Sequence, residues 1–475
     1  MAPADLLSRP TTAHRLPRLH AALEVTRARG WRSVSVPVVL AVATLLVLAR
    51  FADDHGSFDL GVYAGAVRAW SIRAPLYDYV QPGTPYGFTY PPFAALMMLP
   101  LAVLPLWFAH TVNVIADGAV ITATTWWLAC RVAPRHGWSI WYATACAVPV
   151  VCLLEPVRDT VGFGQVNLLL VALVVADVEA LRRGSRWAGV GTGLAAAVKL
   201  TPAVFIVMLA ASRPRAALNA MAVGALATVA AYVAAPGTSV RFWTSALFDT
   251  SRVGRADYAA NQALSGVLAR LADSPTRPLV PWLVAVVLVA AVGLTRAVRA
   301  ARAGDDLGAL ALTGLTGGLI SPISWIHHLW WVVPAVAVLL AAGAQRRRWL
   351  WLAGATVLLF ASSLPDHVHT RLGQHLAHGP LTVVGESSYA LMCLLLVLVL
   401  PVTRQPATRQ PEAGGGAGAA LRARATAALS SAISLRRKVV SAVWIAASWP
   451  ISRNDGAMAV RSTSLASWNS TPSSR

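Results

Sequence analysis

An all-α protein threaded repeatedly through a bilayer is the fold class this sequence predicts, on three observations. Its 475 residues are 56% hydrophobic and only 13% charged, with mean hydropathy +0.58; soluble domains carry about 25% charged residues. Apolar runs of the length a helix needs to cross a hydrocarbon core recur along most of the chain. The basic residues come in short bursts between those runs, as the positive-inside rule places them in cytoplasmic loops. The formal charge of +20 therefore marks sidedness, and no nucleic-acid partner is expected, since the cations form no single face.

The elements follow in order. Arg9, Arg15, Arg18, Arg27, Arg29 and Arg32 precede an apolar run at 34–51 with no small-residue cleavage site after it, so an uncleaved first helix is expected. Further candidate spans are 106–130, 138–155, 165–182, 215–235, 279–297, 307–320, 325–343, 348–363 and 388–403. Residues 187–212 read as a hairpin of half-helices broken at "KLTP" (199–202), because Pro202 lacks an N–H and drives Thr201 out of the helical region. The prolines at 91, 92 and 105 bound a piece too short to cross, read as interfacial or re-entrant. The total is about 10–12 spans, with interfacial helices in the first extracytoplasmic loop.

Counting crossings from an inner N-terminus puts "RVAPR" (131–135), "RRGSR" (182–186), "RPR" (213–215), "RAVRAAR" (296–302) and "RRR" (346–348) inside. The loops 52–105, 156–164, 236–278, 321–324 and 364–387, with the break near 199, then lie outside. This divides the chain into a basic cytoplasmic N-terminus (1–33), a transmembrane domain (34–403) and a basic tail (404–475). The tail, rich in Gly, Ala, Ser and Arg, is expected to be flexible and cytoplasmic, with 436–453 a surface segment near anionic lipid. Cys130, Cys146, Cys152 and Cys393 lie in apolar runs without metal-ligand spacing and read as small buried hydrophobes.

The unusual polar residues gather in or beside the outer set: Asp59, Arg158, Asp159, Gln165, Asn167, Lys199, Asn261, Gln262, His327 and His328. Ionisable groups at membrane depth are costly and usually line a cavity or pathway. Asp59 in "SFDLGVY" suits a general base, and equally an N-cap for the short helix behind it; Asp53 and Asp54 compete for either role. Lys199 is one of two lysines in the chain. Buried in an apolar hairpin it keeps its charge only beside an anion such as a lipid phosphate, or it snorkels to the interface. In "SPISWIHHLWW" (321–331), His327 and His328 stand at the outer start of a helix, where they suit a phosphate oxygen. They suit a metal less well, because adjacent helical side chains point about 100° apart and no third ligand is evident. Trp325, Trp330 and Trp331 read as interfacial anchors. Arg158 is a further candidate for phosphate, or pairs with Asp159. Gln165 and Asn167 suit sugar hydroxyls or loop backbone, and Tyr63, Tyr90, Asn261 and Gln262 complete the sugar or acceptor candidates.

Seven motifs then occur in one order: "FDLGVYAGAVRAW", "LYDY", "FTYPPFAAL", "GFGQVNLLL", "AAVKLTPAVFIV", "NQAL" and "SPISWIHHLWW". This chain resembles glycosyltransferase family 87 across 34–403, departing from it in Ala263 of "NQAL" and in its long tail. The resemblance implies a GT-C fold and a plasma-membrane enzyme with an extracytoplasmic site. It implies transfer of mannose from a polyprenyl-phosphate carrier to the 2-hydroxyl of a mannoside or glycolipid, giving an α-(1→2) link with inversion. It also implies that Asp59 is the catalytic residue, that Lys199 and His327 or His328 lie near the donor phosphate, and that no cofactor is used. A decaprenyl-phosphate-arabinose-dependent transferase is the alternative. A secondary transporter is more distant, since the two halves show no internal repeat.

Overall fold

The computed structural model describes residues 32–49, 56–249, 253–372 and 379–402. The expectations for the N-terminus through Trp31, for Asp53 and Asp54, and for the tail lie outside these residues. Among the described residues every regular element is helical. The β-type pairing consists of two isolated bridges, Val80 with Gly87 and Asn261 with Trp325.

Helix α1 (Arg32–Ala49) packs against α5, described below, and precedes the first loop. That loop holds α2 (Phe58–Ser71) and α3 (Pro92–Met98). In α2 the apolar residues Leu60, Tyr63, Ala64 and Val67 recur at the i, i+3, i+4, i+7 spacing of one helical face, and all are buried. They join Leu76, Tyr77, Phe88, Tyr90 and Met98, with Phe242 from a later segment, in a core of their own. Each such side chain withdrawn from water contributes roughly 1.5–3 kcal/mol. The loop is therefore a folded layer, and its short helix α3 fits the reading that 91–105 is too short to cross.

Next come α4 (Leu106–Val132), α5 (Ile140–Leu153), α6 (Glu155–Phe163) and α7 (Asn167–Arg182). Residues 156–164 were expected as loop, but α6 occupies them, turned 69° from α5 at the extended residue Leu154. Pro156 sits in its first turn, where a missing N–H costs nothing, so the proline starts this helix instead of breaking it. The hairpin is α8 (Val190–Val198) and α9 (Ala203–Ser212), with Lys199 extended in the break expected from Pro202. Then follow α10 (Pro214–Ala234), α11 (Pro236–Arg241), α12 (Leu264–Leu271), α13 (Leu279–Arg302) and α14 (Asp306–Ile320). After them come α15 (Val332–Gly343), α16 (Arg348–Ala361), α17 (Leu364–His367), α18 (Pro380–Glu386) and α19 (Ser388–Val399).

Four described stretches are long and apolar enough to span a membrane, or seven if each of three bent pairs is one span; shorter apolar helices add to these. The chain is a multi-pass membrane protein. Its central helix is α14, apolar on every side, with Leu310, Leu312, Leu315 and Leu319 essentially inaccessible.

Helix α7 fixes the two ends of the bundle. Its last turns carry Glu179, which pairs with Arg131 at 2.9 Å and Arg183 at 2.8 Å. Asp306 lies in the field of Arg131, Arg182 and Arg213 together, and Arg302 bonds the Ala211 carbonyl at 2.6 Å. Four of the basic bursts thus meet at one end. The other end of α7 begins at Asn167, about 24 Å away at 1.5 Å per residue.

Candidate active site

Around Asn167 the structure gathers residues from four separate segments. Asp59 lies in the first turn of α2; the N-cap position is taken by Ser57, in the left-handed region at φ 55°. Gln165 precedes α7 and donates its amide to Asp59 Oδ2 at 2.8 Å. The same amide accepts from the Tyr90 hydroxyl at 3.0 Å, and Tyr90 shares a 2.8 Å bond with Tyr63. A continuous chain thus runs Asp59–Gln165–Tyr90–Tyr63. Burial drives both tyrosine hydroxyls above their ordinary range, and the Asp59 charge adds to this at Tyr90, so both stay protonated as donors.

Lys199 stands in the break between α8 and α9, outside the candidate spans. Its ammonium lies 5.1 Å from the Tyr90 ring centroid, donates to Asn167 Oδ1 at 2.9 Å, and meets His328 Nε2 at 2.9 Å. Burial pulls its pKa down to about 7, and the nearby Asp59 charge opposes that fall. With Lys199 as donor, His328 Nε2 accepts and the ring proton sits on Nδ1, an enclosed atom with no hydrogen-bond partner. Asn167 sets the arrangement by donating to the His327 carbonyl at 2.8 Å while it accepts from Lys199.

The first turn of α2 is clamped onto the 162–165 turn. Ser57 N bonds the Gly162 carbonyl at 2.9 Å, and the Ser57 hydroxyl bonds His110 Nδ1 on α4. Gly164, at φ 68°, lies so close that a Cβ there would meet Leu60 Cβ at 2.7 Å. Sequence reasoning missed Ser57 and His110. Their signal is faint: a histidine near the start of an apolar helix, close to Trp107 and Phe108.

Other expected residues go elsewhere. Asn261 and Gln262 are wholly enclosed, and their amides brace backbone. Asn261 serves Ala256, Ala263 and Ser324, and Gln262 serves Ala259, Glu386 and Ala390. Arg158 bonds Ser363 Oγ at 2.6 Å and lies 4.0 Å from Glu155 and 3.9 Å from Asp159, in a cluster where Tyr389 also bonds Glu155. His327 turns its ring edge to Phe163, with centroids 5.3 Å apart, and leaves His328 at Lys199.

The gathered groups comprise a carboxylate, a cation held without a strong ion pair, and a buried N–H donor. Such a site can accept a proton at one end and stabilise a departing anion at the other.

Comparison with known proteins agrees with this chemistry. The profile of Glycosyltransferase family 87 matches residues 88–322, a span that begins after Asp59. A polyprenol-phosphate-mannose-dependent alpha-(1-2)-phosphatidylinositol mannoside mannosyltransferase of Mycolicibacterium smegmatis is 34% identical over 344 residues, covering 66% of this chain and 77% of the relative. Its namesake in Mycobacterium tuberculosis is 35% identical, covering 66% and 78%. A polyprenol-phosphate-mannose-dependent alpha-(1-2)-phosphatidylinositol pentamannoside mannosyltransferase of M. smegmatis is 33% identical, covering 69% and 81%. No solved structure matches.

Proposed function

This chain belongs to glycosyltransferase family 87, and from that premise we propose that it moves mannose from a polyprenyl-phosphate carrier to the 2-hydroxyl of a mannoside on a phosphatidylinositol-type glycolipid. The observation that carries the reading is the join between Asp59 and Lys199: Gln165 holds the carboxylate at 2.8 Å and Tyr90 at 3.0 Å, and the lysine lies over the Tyr90 ring. The names of the relatives support the donor and acceptor classes.

Asp59 takes the proton of the acceptor hydroxyl as its oxygen attacks C1 of the donor sugar. The C1–O bond to phosphate breaks, its electron pair leaves with the polyprenyl phosphate, and a β-linked donor gives an α-linked product. Lys199 and the His328 Nδ1–H receive the charge that builds on the phosphate; Asn167 positions the lysine. Arg158, Asn261 and Gln262 take no part. General-base help is worth a factor of about 10² to 10⁴.

The site lies at the end of α7 opposite the clustered arginines. Under the positive-inside rule this supports an extracytoplasmic site in the plasma membrane. Residues 34–403 then form the catalytic domain, between a basic cytoplasmic N-terminus and tail.

The test is transfer from polyprenyl-phosphate-mannose to a synthetic mannoside in membranes carrying Asp59→Asn. Near-complete loss is expected, and wild-type rates would remove Asp59 from the mechanism. The corresponding arabinose carrier, added as competitor, checks the donor. Single cysteines at Pro82 and Arg347, both exposed, check sidedness by labelling from outside and inside respectively.

A further inference from the structure

Four aromatic rings from three distant segments form a chain beside the site. Phe58, the residue before Asp59, meets Tyr86 edge-on with centroids 5.9 Å apart. Burial, and then the neighbouring Tyr258, push the pKa of the Tyr86 hydroxyl upward, and Tyr258 lies 6.3 Å from Trp325, its plane tilted 36°. Gly254, at φ 122°, closes the gap: a Cβ there would stand 3.2 Å from Trp325 and 3.5 Å from Tyr86. All four rings are partly exposed. Trp325 was expected as an interfacial anchor, yet it is more enclosed than several other tryptophans of this protein. Trp141, Trp187 and Trp351 are 69%, 64% and 80% exposed, whereas Trp325 is half-covered and pinned by its bridge to Asn261. Asn261 and Gln262 hold this backbone: the Asn261 side-chain Oδ1 accepts from Ser324 N at 3.1 Å, and the Gln262 backbone N donates to the Ser324 carbonyl at 2.7 Å.

Aromatic faces joined to hydroxyls suit a ligand with an apolar face and a polar edge. A pyranose ring has both: axial C–H bonds on one face, hydroxyls around the rim. Polar groups lie alongside, since Arg255 pairs with Asp257 at 2.6 Å and its guanidinium stands 5.9 Å from the Tyr258 centroid. The chain of rings begins next to Asp59, which must face the acceptor hydroxyl, and ends three residues before His328. We infer that Phe58, Tyr86, Tyr258 and Trp325 form a stacking subsite for a sugar ring of the acceptor, with Arg255 and Asp257 as hydroxyl partners. The inference rests on the glycosyltransferase reading of the Asp59 site and adds where the acceptor is held.

Two measurements test it. Purified full-length protein in nanodiscs is titrated with methyl α-mannoside, an α-mannobioside, and the matching glucosides and arabinosides, with binding read by saturation-transfer NMR. Mannoside affinity is expected to fall about tenfold or more in Trp325→Leu and Tyr258→Leu, as truncated aromatic anchors do elsewhere. It should persist in Trp325→Phe and Tyr258→Phe, and in Trp187→Leu, a substitution remote from the rings. Kinetics should show a matching rise in acceptor KM with donor KM unchanged. Wild-type affinity in both leucine variants, with melting curves like the parent's, overturns the subsite. So does an absence of binding by every glycoside, or a loss shared equally by the phenylalanine variants. If the protein binds glucosides or arabinosides in place of mannosides and the leucine variants lose them, the subsite stands and the choice of mannose falls.

Discussion

Gln165 and Asp59 lie 106 residues apart in sequence, yet the glutamine amide donates to the aspartate carboxylate across 2.8 Å. The amide is held by the Tyr90 hydroxyl on its other side, so it cannot turn without breaking a second bond. Gln165→Glu would place a like charge against the base and raise its pKa. A base that gains its proton more readily is inactive at higher pH, so the acid limb of the kcat/KM profile is expected to move upward by about one unit. An unmoved limb would detach Gln165 from the base.

Lys199 gives a second pH dependence with its own sign. Burial pulls its pKa to about 7, so the charged form prevails below that pH and the neutral amine above it. An anionic donor prefers the ammonium. Donor KM is therefore expected to stay flat below about pH 7 and to rise above it by up to about tenfold per unit. Lys199→Met should raise donor KM at every pH and abolish the slope, measured with a fixed saturating acceptor.

His110 bonds the Ser57 hydroxyl, and that bond holds the turn carrying Asp59. His110→Ala is expected to lower kcat about tenfold with little change in donor KM, because the base is displaced and the phosphate end is intact. His110→Asn, which retains a side-chain hydrogen-bonding group, should recover part of the loss. A uniform fall in folded protein, read by size-exclusion yield, would indicate a merely structural role.

Two further substitutions separate fold from chemistry. Gly164→Ala forces a side chain into both a left-handed backbone and the Leu60 contact, at a cost of about 1–3 kcal/mol, and should depress activity as well. Asp177→Ala removes the carboxylate that caps α8 through Thr192 N at 2.6 Å and Gly191 N at 3.2 Å, costing about 0.5–2 kcal/mol. Activity per folded Asp177→Ala molecule should match wild type, with only the melting temperature lowered.

Much of this architecture is legible in the sequence because hydropathy and charge bursts are local signals. The hairpin break at Lys199 follows from Pro202 alone. Helix α6 is hidden because Pro156, Arg158 and Asp159 imitate a loop, although a proline in a first turn is also how a helix begins. The site is harder to read. A lone Asp59 suits cap and base alike; the structure gives the cap position to Ser57 and sets Gln165 on the carboxylate, and the base role is the proposal built on that. Asn261 and Gln262 look like sugar ligands by residue type, and only their complete burial against backbone removes them. Tyr86 and Tyr258 give no local signal, since partly exposed tyrosines are common and their meeting depends on two loops folding together.

The first loop has a small core of its own, in which Leu60, Tyr63, Tyr77 and Phe88 close around Phe242, apart from the leucines of α14. Asp59, the proposed base, thus sits on a layer with a core of about a dozen side chains, tied to the bundle through Gly162, Gln165 and His110. Such a layer is expected to open at a lower temperature than the bundle. Heating should extinguish transfer several degrees before the helices lose their signal, and activity should return on cooling, as the loop refolds on a bundle that never came apart.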